Sequence, residues 1–350
     1  MLKKHQARTS IGLAASALVL LATVACSGTA DPAPGASGDT PAPDASGDGA
    51  APGPGEDYTI ALVPGMTTHP AYQTMYCGAL QAAEELGVTV DFQGANAWDP
   101  AQQLPVVQSL LATSPDALLL VPSDSSALRP AVDQFLAADI PVITVDTGLE
   151  DTSGLSAEIM SDNEQGGGAA AEALGEAIGG EGTVAIISGV PGATTDIARV
   201  DGFTQVMEEQ FPNVTLLEPE YSRSVVATAE SQVQSLMLAH GDLAGVFGVN
   251  GNSATGAANA VANAGAEIVV AGYDAEPGTV EQLRSGNINI LVVQDFIQEG
   301  QLAVEYAYAA LTGDEGSIET PRVLENIIAT TENADDPEIS QYFYISECQV

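Results

Sequence analysis

Basic residues are almost missing from this sequence. After the first 25 residues it contains no lysine and only five arginines, and it carries 47 acidic residues. Removing those first 25 residues would leave five basic against 47 acidic residues, a formal net charge of −42. Because proteins bind nucleic acid through clustered lysine and arginine, this composition excludes nucleic acid as a partner. The remaining arginines are Arg129, Arg199, Arg223, Arg284 and Arg322.

Patterns that indicate catalysis are also missing. After residue 25 there are only two histidines, His69 and His240, and neither has a second His or Cys at metal-ligand spacing. There is no Walker loop, no G-x-G-x-x-G after the first apolar run, and the SGVPG segment is not a nucleophile elbow. We therefore expect no enzyme activity, no metal and no cofactor. An exported α/β enzyme is kept as the third hypothesis.

Long apolar runs are limited to the N-terminus. Lys3, Lys4 and Arg8 precede an uncharged, mostly apolar run that ends just before Cys26. This pattern over residues 1–25 predicts an export signal, since the run is too short for a comfortable membrane span. The TVAC segment resembles the lipobox of bacterial lipoproteins, with Thr23 in place of the usual Leu. The resemblance implies acylation of Cys26 and a lipid anchor at the outer face of the cytoplasmic membrane; the alternative is ordinary cleavage and a free protein.

Cysteine is scarce beyond this point. Only Cys77 and Cys348 follow Cys26. In an oxidising exterior such a pair is a candidate disulfide, and the alternative is a buried thiol at Cys77 with a loose one at Cys348. Residues 26–56 are dominated by Gly, Pro, Ser, Ala and Asp, so they predict a disordered tether rather than part of a core.

From Tyr58 onward, short apolar runs alternate with alanine-rich helical patterns. Examples are YTIALV, ALLLV, PVITV and INILVV, separated by stretches such as GALQAAEELG and SATGAANAVANAG. Buried strands that alternate with helices predict a mostly parallel sheet covered by helices on both faces. About ten such units exceed one ordinary sheet, so we expect an α/β protein with two lobes.

Polar residues follow many of these apolar runs. In open parallel sheets, ligands bind outside the carboxyl ends of the strands. A single polar residue there is routine, but six positions that mix donors and acceptors predict the lining of one ligand site. These positions are residues 67–72, Asp146, residues 161–163, Asn250, Asp274, and Gln294 with Asp295.

Six segments in order also carry a family resemblance. They are IALVPGMTTHPAY (60–72), AADIPVITVD (137–146), SDNEQGGG (161–168), GVPGATTDIARVDGF (189–203), VFGVNGNSATGA (246–257) and VVAGYDAEPGT (269–279). Together they make residues 58–330 resemble the periplasmic sugar-binding proteins of ABC importers, in the ribose-binding-protein-like group. Each segment is weak evidence alone, and the shared order gives the resemblance its strength.

The resemblance implies a type I periplasmic binding protein fold. Two Rossmann-like lobes with parallel sheets would be joined by a three-segment hinge near Ser161, Gln294 and Leu324. The N-terminal lobe would comprise residues 58–160 and 295–324. The C-terminal lobe would comprise residues 161–294 together with the tail, 325–350.

The resemblance also implies a set of ligand-binding residues. They are His69, Tyr72, Asp146, Arg199, Asn250, Asp274 and Gln294, with Trp98 and Thr68 as further candidates. Carboxylates accept hydrogen bonds from hydroxyls, the guanidinium donates them, amides do both, and aromatic rings pack against sugar C–H groups.

Each assignment has a plainer alternative. Arg199 could be a surface residue paired with Asp196 or Asp201, and the two aspartates could cap following helices. Asn250 and Gln294 could serve turn chemistry, and His69 could be an exposed turn residue. Trp98 could be a platform at the cleft rim or an anchor at the edge of the core.

Three positions depart from the family pattern. His69 stands where an amide is usual, Ala71 replaces one of two aromatic rings, and Thr147 stands where ribose binders often have Arg. The sequence therefore leaves the sugar open.

The expected function is capture of a monosaccharide or related polyol by a monomeric, lipid-anchored protein. Closure of the lobes would bury the ligand, and an ABC permease would receive it. The alternative keeps the fold but presents a sugar or furanosyl signal to a sensor kinase or chemoreceptor.

Overall fold

The computed structural model describes residues 58–348. The predicted export signal (1–25), the acylation site Cys26 and the tether (26–56) lie outside the described residues. Within residues 58–348, no helix is long and apolar enough to cross a membrane.

Strands and helices alternate along the described chain. In chain order they are β1 (Thr59–Val63), α1 (Pro70–Leu86), β2 (Thr89–Phe92), α2 (Pro100–Leu110), β3 (Ala117–Leu120), α3 (Arg129–Leu136), β4 (Val142–Val145), β5 (Ala157–Ser161), α4 (Asn163–Ala177), β6 (Glu181–Ser188), α5 (Thr194–Gln210), β7 (Asn213–Leu216), β8 (Glu220–Tyr221), α6 (Val226–Ala239), β9 (Leu243–Gly248), α7 (Gly251–Ala264), β10 (Val269–Tyr273), α8 (Pro277–Ser285), β11 (Ile290–Val293), α9 (Phe296–Thr312), a 3-10 turn (Glu315–Ser317), β12 (Arg322–Leu324), β13 (Ile327–Thr330) and α10 (Pro337–Ser340).

The strands form two sheets. The first has the order β12-β5-β4-β3-β1-β2, and the second has the order β13-β11-β10-β9-β6-β7 with β8 beside β6. All pairs are parallel except β11 with β13. Every residue of β3, β4 and β11 is buried, as expected for strands covered by helices on both faces. The prediction of a two-lobed α/β protein with parallel sheets is confirmed.

The chain passes between the two sheets three times. It leaves the first sheet after β5, returns after β11 to place α9 beside α1, and leaves again between β12 and β13. Polar contacts reinforce the last crossing: the Asn326 side-chain amide donates to the Asp162 carbonyl (2.6 Å), and its backbone N–H donates to Gln165 Oε1 (3.0 Å). The passages lie side by side, which is the geometry of a hinge.

Glycines let two helix pairs approach closely. A side chain on Gly78 of α1 would collide with the Ile297 carbonyl of α9, and one on Gly167 of α4 would collide with the Arg199 carbonyl of α5. Any larger residue would push the paired helices apart. The second contact fixes the backbone that carries Arg199.

The C-terminal tail connects both lobes. Tyr344 N–H donates to the Ala275 carbonyl in the second lobe (2.9 Å), and Ile345 N–H donates to Thr74 Oγ1 on α1 (2.9 Å). The tail therefore begins in the second lobe, where β13 pairs with β11, and its final described residues pack on the first lobe.

Cys348 at the end of this tail forms a disulfide with Cys77 on α1, with Cα atoms 5.4 Å apart. The bond joins residues separated by 271 positions. It therefore makes the tail a covalent fourth link between the lobes.

Loss of this disulfide should lower stability. We expect the double variant C77S/C348S to lose about 2–4 kcal/mol of unfolding free energy, because a long loop is no longer closed in the unfolded chain. Guanidinium chloride unfolding measures this difference. Dithiothreitol should shift the wild type to the midpoint of the variant and leave the variant unchanged; coincident midpoints without reductant would contradict the prediction.

Candidate ligand-binding cleft

A cleft of about 710 Å³ lies between the carboxyl ends of the two sets of strands. Residues from both lobes line it. All seven predicted ligand-binding residues and Trp98 are among them: His69, Tyr72, Trp98, Asp146, Arg199, Asn250, Asp274 and Gln294. Thr68 is exposed and does not line the cleft.

Arg199 lies at the base of the cleft and is only 5% exposed. Its Nε donates to Asn163 Oδ1 (2.8 Å) and its Nη1 donates to the Val249 carbonyl (3.0 Å). The guanidinium carbon is 3.7 Å from the centroid of the Tyr273 ring, a cation–π contact. The alternative of a surface arginine does not apply to this buried side chain.

The charge of Arg199 is maintained by its surroundings. Burial acts to lower its pKa, but Tyr273, Asp274 and Asp196 raise it above the ordinary value on balance. Asp274 Oδ2 is 4.0 Å from Arg199 Nη1. The guanidinium therefore stays protonated and directs its remaining N–H groups at the cleft.

Asp146 and Asp274 occupy equivalent positions in the two lobes. Each directly follows the last residue of a strand, β4 or β10, and each adopts a left-handed backbone, with φ of 63° and 71°. Such a conformation is costly for a residue with a side chain, although aspartate tolerates it better than most. No helix begins immediately after either residue, since α8 is capped at Glu276. The geometry turns both carboxylates into the cleft.

Asp146 is nearly buried and accepts a hydrogen bond from the Tyr72 hydroxyl (2.9 Å). Burial raises the pKa of Asp146 to about 6, opposed by the Tyr72 hydrogen bond and the Arg199 charge. Burial, together with the Asp146 charge, also raises the pKa of Tyr72 well above its ordinary value. Tyr72 therefore remains a donor, and Asp146 ionises just below neutral pH.

Asp274 is held by the polar groups beside it. Its carboxylate accepts from Gly251 N–H (3.1 Å) and from Gln294 Nε2 (2.9 Å). Gln294 is 2% exposed, and its Oε1 has no hydrogen-bond partner among the described residues. The ordered contact of Gln294 is therefore the one through Nε2, which orients the Asp274 carboxylate.

Asn250 combines a capping role with its place in the cleft. Its Oδ1 accepts from Ser253 N–H (3.0 Å), which caps α7. Its Nδ2 lies 3.4 Å from Ser224 Oγ and 3.5 Å from Asp196 Oδ2. Asn250 therefore both caps the helix that follows its strand and lines the cleft.

Three aromatic side chains form the apolar wall. The Tyr72 and Trp98 rings stack with centroids 5.9 Å apart, and Phe296 meets Tyr72 edge-on at 6.1 Å. Trp98 is 45% exposed at the mouth of the cleft. It packs so closely over Gly65 that a side chain there would collide with its ring. Trp98 therefore provides an aromatic face where Ala71 does not.

Several cleft residues were not predicted from the sequence. Asp196, Ser224, Glu276 and Phe296 line it, as does Arg223, to which no role was assigned. Asp196 accepts from Gly189 N–H (3.0 Å), and burial raises its pKa. Glu276 lies two residues beyond Asp274, so extending the search past the strand ends would have found it.

A buried glutamate lies at the hinge. Glu299 on α9 is 0% exposed, and its Oε1 accepts from Ser161 Oγ (2.8 Å) at the first crossing. Burial, reinforced by the Asp146 charge, raises its pKa well above the ordinary value. The Glu299 carboxyl thus joins two hinge segments, and its raised pKa favours the uncharged form near Asp146.

The comparisons agree with this geometry. A model of the periplasmic binding protein domain matches residues 60–315. The ribose import binding protein of Bacillus subtilis is 30% identical, over 77% of this chain and 88% of that protein.

Solved structures are also similar. An ABC transporter solute-binding protein from Agrobacterium vitis bound with α-D-tagatopyranose is 36% identical with a TM-score of 0.77, covering 83% of this chain and 100% of that one. Another from the same organism, with bound D-fucose, is 31% identical with a TM-score of 0.72, covering 82% and 100%. The chain has two lobes, three chain crossings between them and a polar cleft at the strand ends. Together with the match over residues 60–315, this shows that the chain belongs to the periplasmic binding protein family.

Proposed function

We propose that this protein is the extracytoplasmic binding component of an ABC importer and captures a neutral monosaccharide or related polyol. The convergence of Asp146, Arg199 and Asp274 from distant parts of the chain on one cleft carries the proposal. The similar proteins with tagatose, fucose or ribose in their names support it.

The donor and acceptor pattern suits a polyhydroxylated ligand. Ionised Asp146 and Asp274 accept from hydroxyls, and Arg199 donates to ring or hydroxyl oxygens. Because carboxylates outnumber cations along the cleft, a phosphorylated or carboxylated sugar would meet repulsion.

Binding would favour closure because the contacts come from both lobes. Tyr72, Trp98 and Asp146 belong to the first lobe, while Arg199 and Asp274 belong to the second. A ligand that touches both sets binds the closed arrangement more tightly than the open one. The closed protein would then deliver its ligand unchanged to the permease.

The remaining parts of the proposal concern location. Acylation of Cys26 would anchor a monomer at the outer face of the cytoplasmic membrane, with residues 26–56 as the tether. No catalytic step is part of this function.

Arg199 should dominate the affinity. We expect R199M to weaken binding of the preferred sugar at least a hundredfold, because charge-assisted hydrogen bonds to the ligand are lost. Titration calorimetry of the wild type against D-ribose, D-tagatose, D-fucose, further pentoses and hexoses, and polyols identifies that sugar. R284M is the matched control, since Arg284 pairs with Asp335 away from the cleft (3.0 Å).

Circular dichroism shows whether R199M folds, and D274N provides a second test if it does not. No binding heat from any sugar or polyol with the wild type would overturn the proposed function.

Affinity should fall as the pH is lowered through about 6. The folded-state pKa of Asp146 is raised to about 6, and hydroxyl donors bind its ionised form. Below that pKa, binding must also remove a proton, so we expect up to tenfold weaker binding per pH unit. Calorimetry between pH 5 and 7.5 measures this, and D146N should lack the decline. A pH dependence of the wild type that matches that of D146N would contradict an ionised Asp146 contact.

Trp98 should report ligand binding directly. It is the only tryptophan in the chain and lies at the mouth of the cleft. A bound sugar would cover its exposed face, so we expect a saturable change in emission with a midpoint equal to the calorimetric Kd. W98F should retain weaker binding without the signal. An unchanged spectrum at saturating sugar would exclude Trp98 from the binding surface.

A further inference from the structure

One ion pair spans the mouth of the cleft. His69 Nε2, from the loop before α1, lies 3.2 Å from Glu276 Oε1 at the start of α8. The other five ion pairs of residues 58–348 lie within one lobe. His69 and Glu276 thus form the only ion pair that joins the lobes within this part of the chain.

The first turn of α1 orients the His69 imidazole. His69 Nδ1 accepts from Ala71 N–H (3.3 Å) and caps α1. The ring also contacts Tyr72, with centroids 5.4 Å apart. These contacts leave Nε2–H free to donate across the cleft.

The carboxylate lies beside the amino end of a helix of the second lobe. A side chain on Gly251 would lie 3.1 Å from Glu276 Oε1, so the carboxylate rests against the first residue of α7. The amino end of a helix carries a partial positive charge that stabilises an anion. Glu276 Oε1 is therefore an acceptor beside the amino end of α7 and within reach of His69 Nε2.

From this geometry we propose that His69 and Glu276 form a latch across the cleft that stabilises the closed arrangement and slows ligand release. The proposal rests on the proposed function and changes the expected role of His69 from sugar contact to positioning residue. Opening the lobes would separate Nε2 from Oε1 and return both groups to water. The pair therefore stabilises only the closed arrangement, as an interface ion pair does.

Protonation would strengthen the latch. Burial lowers the pKa of His69, but the hydrogen bond and charge of Glu276, with Asp274 and Asp146, raise it above 6.5 on balance. The groups facing His69 are Glu276 and Asp274 from the second lobe, Asp146 from the end of β4, and Tyr72 beside it. In an open form without Glu276, His69 would titrate nearer 6.5. The stabilisation is thus complete below 6.5 and is lost as the pH rises through the raised value.

A double-mutant cycle tests the latch. The variants are H69Q, E276Q and H69Q/E276Q, with whichever of D-ribose, D-tagatose and D-fucose binds the wild type most tightly. Stopped-flow Trp98 fluorescence gives the rates. We expect each single variant to raise koff about threefold to tenfold with little change in kon, and the double variant to match a single one. D133N is the control, because Asp133 pairs with Arg129 inside the first lobe (2.7 Å).

Two further measurements separate the latch from a direct ligand contact. In wild type, koff should rise with pH above 6.5, and E276Q should remove this rise. Without sugar, small-angle X-ray scattering should show that H69Q and E276Q are equally more open than wild type. Additive effects in the cycle, or an effect of H69Q that E276Q does not share, would overturn the latch.

The scattering comparison needs no ligand. If no sugar binds, the proposed function fails while the latch is still tested by the scattering of the sugar-free variants. If sugar binds normally and the cycle shows no coupling, the latch alone fails.

Discussion

A guanidinium can be buried only if its N–H groups are hydrogen-bonded and its charge is balanced, since desolvation otherwise costs several kcal/mol. Arg199 meets these conditions through Asn163, the Val249 carbonyl and the Tyr273 ring. In return, its charge allows Asp274 and Asp196 to lie close by in a largely buried cleft. Only five arginines follow residue 25, and one of them lies among the cleft carboxylates, where its charge balances theirs.

The placement of Arg199 depends in turn on backbone packing. Gly167 lets α4 approach the Arg199 carbonyl on α5, and the chain enters α4 directly from the first crossing between lobes. The ligand site and the hinge therefore share an element. Glu299 also links the site to the crossings, because its buried carboxyl accepts from Ser161 at the first crossing and interacts electrostatically with Asp146. In the proposed function, closure would therefore move the lobes without disassembling either half of the site.

The C-terminal tail and the His69–Glu276 ion pair link the lobes in addition to the three crossings. The tail is fastened covalently to α1 by Cys77 and Cys348 and is hydrogen-bonded to Ala275 in the second lobe. Ala275 lies between Asp274 and Glu276. The tail is therefore bonded to the loop that carries both the proposed ligand contact Asp274 and the proposed latch residue Glu276. The strength of the ligand contacts is then only part of what determines affinity, since the freedom of the lobes to separate also contributes.

The sequence determined the α/β class, the two lobes and most of the cleft, because these follow from local rules. Short apolar runs indicate buried strands, and parallel strands bring their carboxyl ends to one edge of the sheet. Asp146 and Asp274 could therefore be assigned to the cleft without coordinates. The family resemblance supplied Arg199, whose position within α5 no strand-end rule would give. Only the tertiary structure decided the rest. It placed Thr68 outside the cleft lining, fastened the end of the tail to the first lobe, and brought His69 within hydrogen-bonding distance of Glu276, 207 positions away. These contacts join separate lobes, and the hinge that sets their distance leaves no periodic pattern in the chain.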